Sequence, residues 1–178
     1  MSTSRVSRLV LPIGKRDHVR GPSDAAITLV EYGDYECPHC GRAYPAVKAI
    51  QEQLGDKLRF VFRNFPLAQL HPHAELAAET AEAAAAQGKF WEMHGALFEH
   101  QRALELEDLV GYATQLGLDA KRIIHDLERR VHRARVEEDF ISGARSGVNG
   151  TPTFFINGVR FDGDWNTELA AALKKLRG

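Results

Sequence analysis

Ile27, Thr28, Leu29, Val30, Glu31 and Tyr32 lead through Gly33, Asp34, Tyr35 and Glu36 into Cys37, Pro38, His39 and Cys40, and this stretch decides the fold. Its first six residues are β-branched and apolar, the composition of a strand buried on both faces. Beyond the cysteines, Ala43, Val47, Ile50 and Leu54 recur at helical spacing. The two thiols therefore fall where a strand hands over to a helix. Pro38 fits the first helical position, where its missing N–H and fixed φ are tolerated. That leaves Cys37 at the cap, facing backbone donors with no intrahelical partner. The helix dipole and the His39 imidazole are both expected to favour a Cys37 thiolate, the species that attacks a disulfide. A low thiol pKa stabilises the reduced pair and makes the disulfide a better oxidant. Cys40, one turn into the helix, is expected to be the more buried, resolving thiol.

These are the two cysteines of a 178-residue chain. A structural disulfide across two intervening residues would close almost no loop and remove little entropy from the unfolded state. A structural zinc site wants four ligands, and there is no second cysteine pair, although His39 or the pair His71 and His73 could supply nitrogens. Inert buried thiols are the remaining alternative. Two thiols in this spacing at a strand-to-helix junction read as a redox centre, with no metal and no cofactor beyond the Cys37–Cys40 disulfide itself.

A formal net charge of −1 gives no electrostatic pull toward nucleic acid or an anionic membrane. No apolar run approaches the length of a membrane span. The segment from Met1 to His18 has arginines and a short apolar stretch from Leu9 to Ile13, but Pro12 interrupts it and no small-residue cleavage site follows. The expectation is a cytoplasmic chain with one domain core.

Outward from the cysteines, residues 1–20 read as an N-terminal extension with a short strand at Arg8 to Pro12, and residues 21–178 as a single domain. Lys57 to Phe65 alternates Leu58, Phe60 and Phe62 against Arg59, Val61 and Arg63, a second clear strand. From about residue 72 to 145 the pattern is helical throughout. Ala74 to Ala86 is alanine-rich, with Glu75, Glu79 and Glu82 expected on a solvated acidic face. Phe90, Trp91, His94, Leu97 and Phe98 mark an amphipathic helix, with further helices over Leu106 to Leu116 and Ala120 to Arg145. Asn157–Gly158, between two short apolar runs, is the signature of a two-residue hairpin turn. A last helix carries Leu169, Leu173 and Leu176 on one face, with Lys174, Lys175 and Arg177 near its end. The plan is α/β, with helices around one small sheet.

The thiol motif after a strand, together with Gly147, Val148, Asn149, Gly150, Thr151, Pro152, Thr153, Phe154 and Phe155, resembles the DsbA-like branch of the thioredoxin superfamily. Asn64, Phe65, Pro66, Leu67, His71 and Pro72, and later Gln87, Gly88, Lys89, Phe90 and Trp91, resemble it as well. The resemblance runs from Gly21 onward. It implies a thioredoxin fold with an all-helical insertion between its two halves, and dithiol–disulfide exchange with thiol- or disulfide-containing protein substrates, recharged by a redox partner. It also implies that Pro152 is a cis proline facing the thiols, where Thr151 would offer its backbone to an extended substrate chain. Without the resemblance, Pro152 reads as a trans residue starting a strand.

Glu31 falls on the same strand face as Ile27 and Leu29, where an ionised carboxylate is costly unless paired. In the DsbA-like pattern it implies a proton relay for Cys40; the alternative is a salt bridge to Arg59 or Arg63. Asp34 and Glu36 beside Cys37 are expected to raise its pKa and oppose the helix N-terminus. His71 and His73 read as turn or capping residues. Two other functions stay open at this level: a redox sensor or binding module, and a glutathione-linked isomerase or transferase of the same fold.

Overall fold

The computed structural model describes residues 6–176. In chain order it forms β1 (His18–Arg20), β2 (Ile27–Gly33), α1 (Pro38–Leu54) and β3 (Leu58–Asn64). Five helices follow: α2 (Ala74–Ala85), α3 (Phe90–Glu99), α4 (Leu106–Gln115), α5 (Ala120–Glu128) and α6 (Arg133–Arg145). The hairpin β4 (Thr153–Ile156) and β5 (Val159–Arg160) and the helix α7 (Leu169–Lys175) complete the chain. The sheet order is β1-β3-β2-β4-β5. β2 and β3 are parallel, joined through α1 as a strand–helix–strand crossover, and β1, β4 and β5 pair antiparallel. This is an α/β thioredoxin-like fold with helices inserted between β3 and β4.

Alternation in the two central strands produces two cores. Ile27, Leu29, Leu58, Phe60 and Phe62 face α1 and the inserted helices in the larger core. Val30, Tyr32, Val61, Phe65, Val148 and Phe155 face the other way into a smaller one. Each fully buried Leu, Ile or Phe contributes roughly 1.5–3 kcal/mol relative to exposure, so both faces of β2 must be covered. At the hairpin, Asn157 and Gly158 have φ of 48° and 79°, the double positive φ of a type I′ turn.

The N-terminal segment does the covering on the second face. Leu9, Ile13 and Val19 pack against the smaller core. Arg63, fully buried, reaches the segment with hydrogen bonds to both Asp17 carboxylate oxygens and to the carbonyls of Leu11 and Pro12, and also donates to the Tyr32 hydroxyl. The strand expected at Arg8 to Pro12 is not formed: Arg8 makes one isolated bridge to Val159, and the strand lies at His18–Arg20, where it pairs with β3. Beyond that bridge Val10 gives its N–H to the Ser146 hydroxyl and Pro12 has none to give, so no ladder continues. Residues 1–5 of the expected N-terminal extension and the cationic Arg177 lie outside the described residues.

The acidic face expected on α2 is also corrected. Glu79 and Glu82 are buried, at 1% and 5% exposure. Glu79 accepts from the Arg130 guanidinium, and Glu82 pairs with His18 and accepts from the Asn64 amide. The reason is tertiary: α2 lies among α3, α4, α5 and α6 and has little solvated side. Small alanines at 74, 77, 78, 81, 83 and 84 allow that close approach. In α3, His94 is a core residue. Burial holds its imidazole pKa down at about 3, and its Nδ1 accepts from the Tyr35 hydroxyl.

Candidate active site

The loop from Gly33 to Cys37 turns the chain from β2 into α1. Cys37 is the N-cap, in extended conformation, and Pro38 occupies the first helical position. Cys40 is wholly buried, whereas Cys37 retains 4% exposure. Both thiols are free. The Cys37 Sγ lies 3.6 Å from the Thr151 carbonyl oxygen on the opposing wall, where the Thr151–Pro152 peptide bond is cis.

The thiols are electrostatically unequal. The Cys37 pKa is lowered to about 5, chiefly by a hydrogen bond from the Cys40 thiol; burial opposes this, while Thr151 and the backbone N–H groups of Cys40 and His39 add to it. Burial pushes Cys40 well above the ordinary thiol range, and the charges of Cys37 and Glu31 push it the same way. His39 contributes differently from expectation. Its exposed ring accepts a hydrogen bond from the Arg42 guanidinium one turn along α1, and it is the His39 backbone N–H that favours the thiolate.

Glu31 is buried on the α1 side of the sheet, opposite Phe62 and Phe154 in the neighbouring strands. Its Oε1 has no hydrogen-bond partner among the described residues, and burial raises its pKa to about 8. The alternative salt bridge is absent: Arg63 is committed to Asp17, and Arg59 to the Thr28 hydroxyl and the Ser23 carbonyl.

Asp34 is the hub that the sequence did not reveal. Its Oδ1 accepts from the N–H groups of Glu36 and Cys37, at 2.8 and 3.2 Å. Its Oδ2 accepts from the N–H of Leu67 and from His71 Nδ1, at 2.9 and 2.7 Å. Its own N–H points at Cys40 Sγ, 3.5 Å away. Glu36 is tied in parallel to His73, through both the ring and the backbone N–H, and the other ring nitrogen of His73 meets Glu105. Both acids expected to oppose a Cys37 thiolate are thus matched by histidines whose pKa values are raised. His71 and His73 are therefore more than turn residues. From the other side, Gln101 in the α3–α4 loop donates its amide to the carbonyls of Tyr35 and Cys37, each at 2.8 Å. Gly41 makes room for it, since a Cβ there would lie 1.9 Å from the Gln101 side chain. Residues 34, 71 and 101 are far apart in sequence, and no local pattern announces their meeting.

The fold superposes on those of known proteins. A solved structure of BdbD from Bacillus subtilis in its oxidised form superposes with a TM-score of 0.83 at 26% identity, covering 97% of this chain and 98% of that one. A thioredoxin-like oxidoreductase from Silicibacter pomeroyi does so with a TM-score of 0.78 at 27% identity, covering 92% and 94%. DsbA proteins of Wolbachia pipientis share the fold. Among curated proteins, a Na(+)/H(+) antiporter NhaA 1 of Salinispora arenicola is 48% identical over 165 residues. The alignment covers 92% of this chain, which spans about a quarter (25%) of that relative's length. No helix among the described residues is long and apolar enough to cross a membrane. With the thioredoxin family model matching residues 14–175, nearly the whole described chain, this protein belongs to the thioredoxin family.

Proposed function

We propose that the chain is a dithiol–disulfide oxidoreductase acting on protein substrates through a mixed disulfide, with Cys37 exchanging and Cys40 resolving. The observation that carries this reading is the unequal placement of the thiols, Cys37 capping α1 with its Sγ 3.6 Å from the Thr151 carbonyl and Cys40 wholly buried within the first turn, an arrangement that lowers the pKa of the first and raises that of the second. A substrate thiolate attacks the Sγ of Cys37 in the disulfide and displaces Cys40, which takes up a proton. A second substrate thiol then attacks the substrate sulfur of the mixed disulfide, forming the substrate disulfide and releasing Cys37 as a thiolate. Two electrons pass from substrate to enzyme. Because Cys37 is a good leaving group, release is fast and the reduced state is stabilised, which favours oxidation of substrates. In reverse, the Cys37 thiolate attacks a substrate disulfide, and Cys40 must lose its proton before it can resolve. Glu31, with its pKa near 8, is matched to receive that proton.

Thr151 and Pro152 form the substrate wall in this reading: an extended chain beside the thiols meets the Thr151 backbone, giving affinity without sequence readout. Similarity to a thioredoxin-like oxidoreductase supports the class of reaction. The purified chain should reduce insulin or reoxidise a reduced disulfide protein, and C37A should do neither; a wild-type chain inactive in both assays overturns the proposal. A redox titration against glutathione then gives the direction, with a potential near roughly −120 mV marking an oxidant and near roughly −270 mV a reductant.

A further inference from the structure

The Asp34–His71 pair is unused by the thiol chemistry described so far, yet it is joined to both cysteines. One Asp34 carboxylate oxygen holds the Cys37 N–H and the other holds the His71 ring, while the Asp34 N–H points at Cys40. Asp34 is buried, at 1% exposure, and its two carboxylate oxygens accept from four groups. His71 keeps 19% of its side chain exposed, so protons can reach the ring nitrogen that does not face Asp34.

We propose that His71 is a positioning residue that takes up a proton when the Cys37–Cys40 disulfide is reduced and releases it when the disulfide re-forms. This rests on the oxidoreductase reading above. The disulfide is uncharged at Cys37, whereas the dithiol carries a thiolate there. When a substrate dithiol reduces the disulfide, two electrons and two protons leave the substrate. One proton ends on Cys40, Cys37 remains a thiolate, and the second proton goes to Nε2 of His71, whose Nδ1 already donates to Asp34. Burial works against a charged imidazole here, but the Asp34 hydrogen bond and charge outweigh it, and the Cys37 thiolate adds to them. Oxidation removes that last contribution, so the ring binds its proton less tightly in the disulfide state. By reciprocity, a protonated His71 favours the reduced pair.

The other ionisable groups around the pair are accounted for. Asp34, Glu36 and Cys37 act on the ring from the β2–α1 loop. His73, two residues on, is held between Glu36 and Glu105. Glu75 at the start of α2 pairs with Arg130. Glu31 and Cys40 complete the set around the thiols.

The test is a ring-proton NMR titration of His71 in the full chain, in chemically oxidised and fully reduced states. The expected result is a higher midpoint in the reduced state. Between the two midpoints, the equilibrium with glutathione should change by up to a further tenfold per pH unit, which corresponds to ~29.6 mV for a two-electron couple. H71N can still donate to Asp34 but cannot take the proton, so the additional pH dependence should vanish. H73N should retain it. Equal His71 midpoints in both redox states, or an H71N profile as steep as wild type, would overturn the proposal while leaving the oxidoreductase reading intact. Failure of the pair to form a disulfide or to exchange with glutathione would instead remove the oxidoreductase reading, and this inference with it.

Discussion

Replacing Glu31 with Gln should stabilise the reduced protein at neutral pH while slowing its chemistry. The carboxyl is 2% exposed, and burial moves its pKa from the usual 4.5 to about 8. A tenfold change in proton affinity corresponds to about 1.4 kcal/mol. Below 4.5 the group is protonated in both folded and unfolded chains and costs nothing. Between that value and about 8 the unfolded chain ionises while the folded one holds its proton, so stability falls by about 1.4 kcal/mol per pH unit. The accumulated cost is roughly 3 kcal/mol at pH 7 and approaches roughly 5 kcal/mol above pH 8, both upper limits because local relaxation lowers the penalty. Urea unfolding under reducing conditions, from about pH 4 to 9, should therefore show wild type and E31Q diverging as pH rises, after any constant offset at the acid end is subtracted. The same variant should slow release of a mixed disulfide by Cys40 and leave alkylation of Cys37 nearly unchanged. Parallel stability profiles would refute the burial argument, and unaltered turnover would refute the proton relay.

Alkylation of Cys37 should follow an ionisation near pH 5, and a midpoint in the ordinary thiol range would show that the hydrogen bonds from Cys40 and the backbone do not act as described. G41A should displace Gln101 from the carbonyls of Tyr35 and Cys37 at a cost of about 1–2 kcal/mol in thermal or chemical unfolding. Because Q101A removes the same two bonds, the double variant should cost little more than either alone, and simple additivity would exclude the shared mechanism. R63A leaves Asp17 without its guanidinium and should destabilise the protein by about 3–5 kcal/mol. It should also expose Leu11 to Asp17 to limited proteolysis, and an uncut variant of wild-type stability would show that Arg63 does not fasten the N-terminal segment.

Much of the fold was legible because it is written in local periodicity. Ile27 to Tyr32 is the β-branched, apolar run of a strand buried on both faces, Leu58 to Phe62 alternates, Ala43 to Leu54 repeats at helical spacing, and Asn157–Gly158 has the chemistry of a tight hairpin. The placement of Cys37 at a cap and Cys40 inside the first turn follows from Pro38 alone. Local pattern failed where burial was decided by another part of the chain. Glu79 and Glu82 looked like a solvated face because α2 in isolation has one, and they are buried because the turn at Arg130 closes over Glu79 while His18 of β1 and Asn64 of β3 meet Glu82. Pairing of the acids beside Cys37 was invisible for a related reason. Asp34 and His71 are 37 positions apart, and only the return of β3 alongside β2 brings them within 2.7 Å.

The sequence by itself determined where the thiols sit, which of them is the more exposed, and the strand–helix–strand frame that presents them, since each depends on neighbours within a turn or a strand. The tertiary structure decided what those thiols are worth chemically. Proton affinity depends on desolvation, on hydrogen bonds and on charges a few ångströms away, and here those come from the burial of Cys40, the contact between the two thiols, Glu31 beneath the helix, Thr151 across the cleft and the Asp34 N–H. Spacing along the chain carries no record of such distances; only the packed fold sets them.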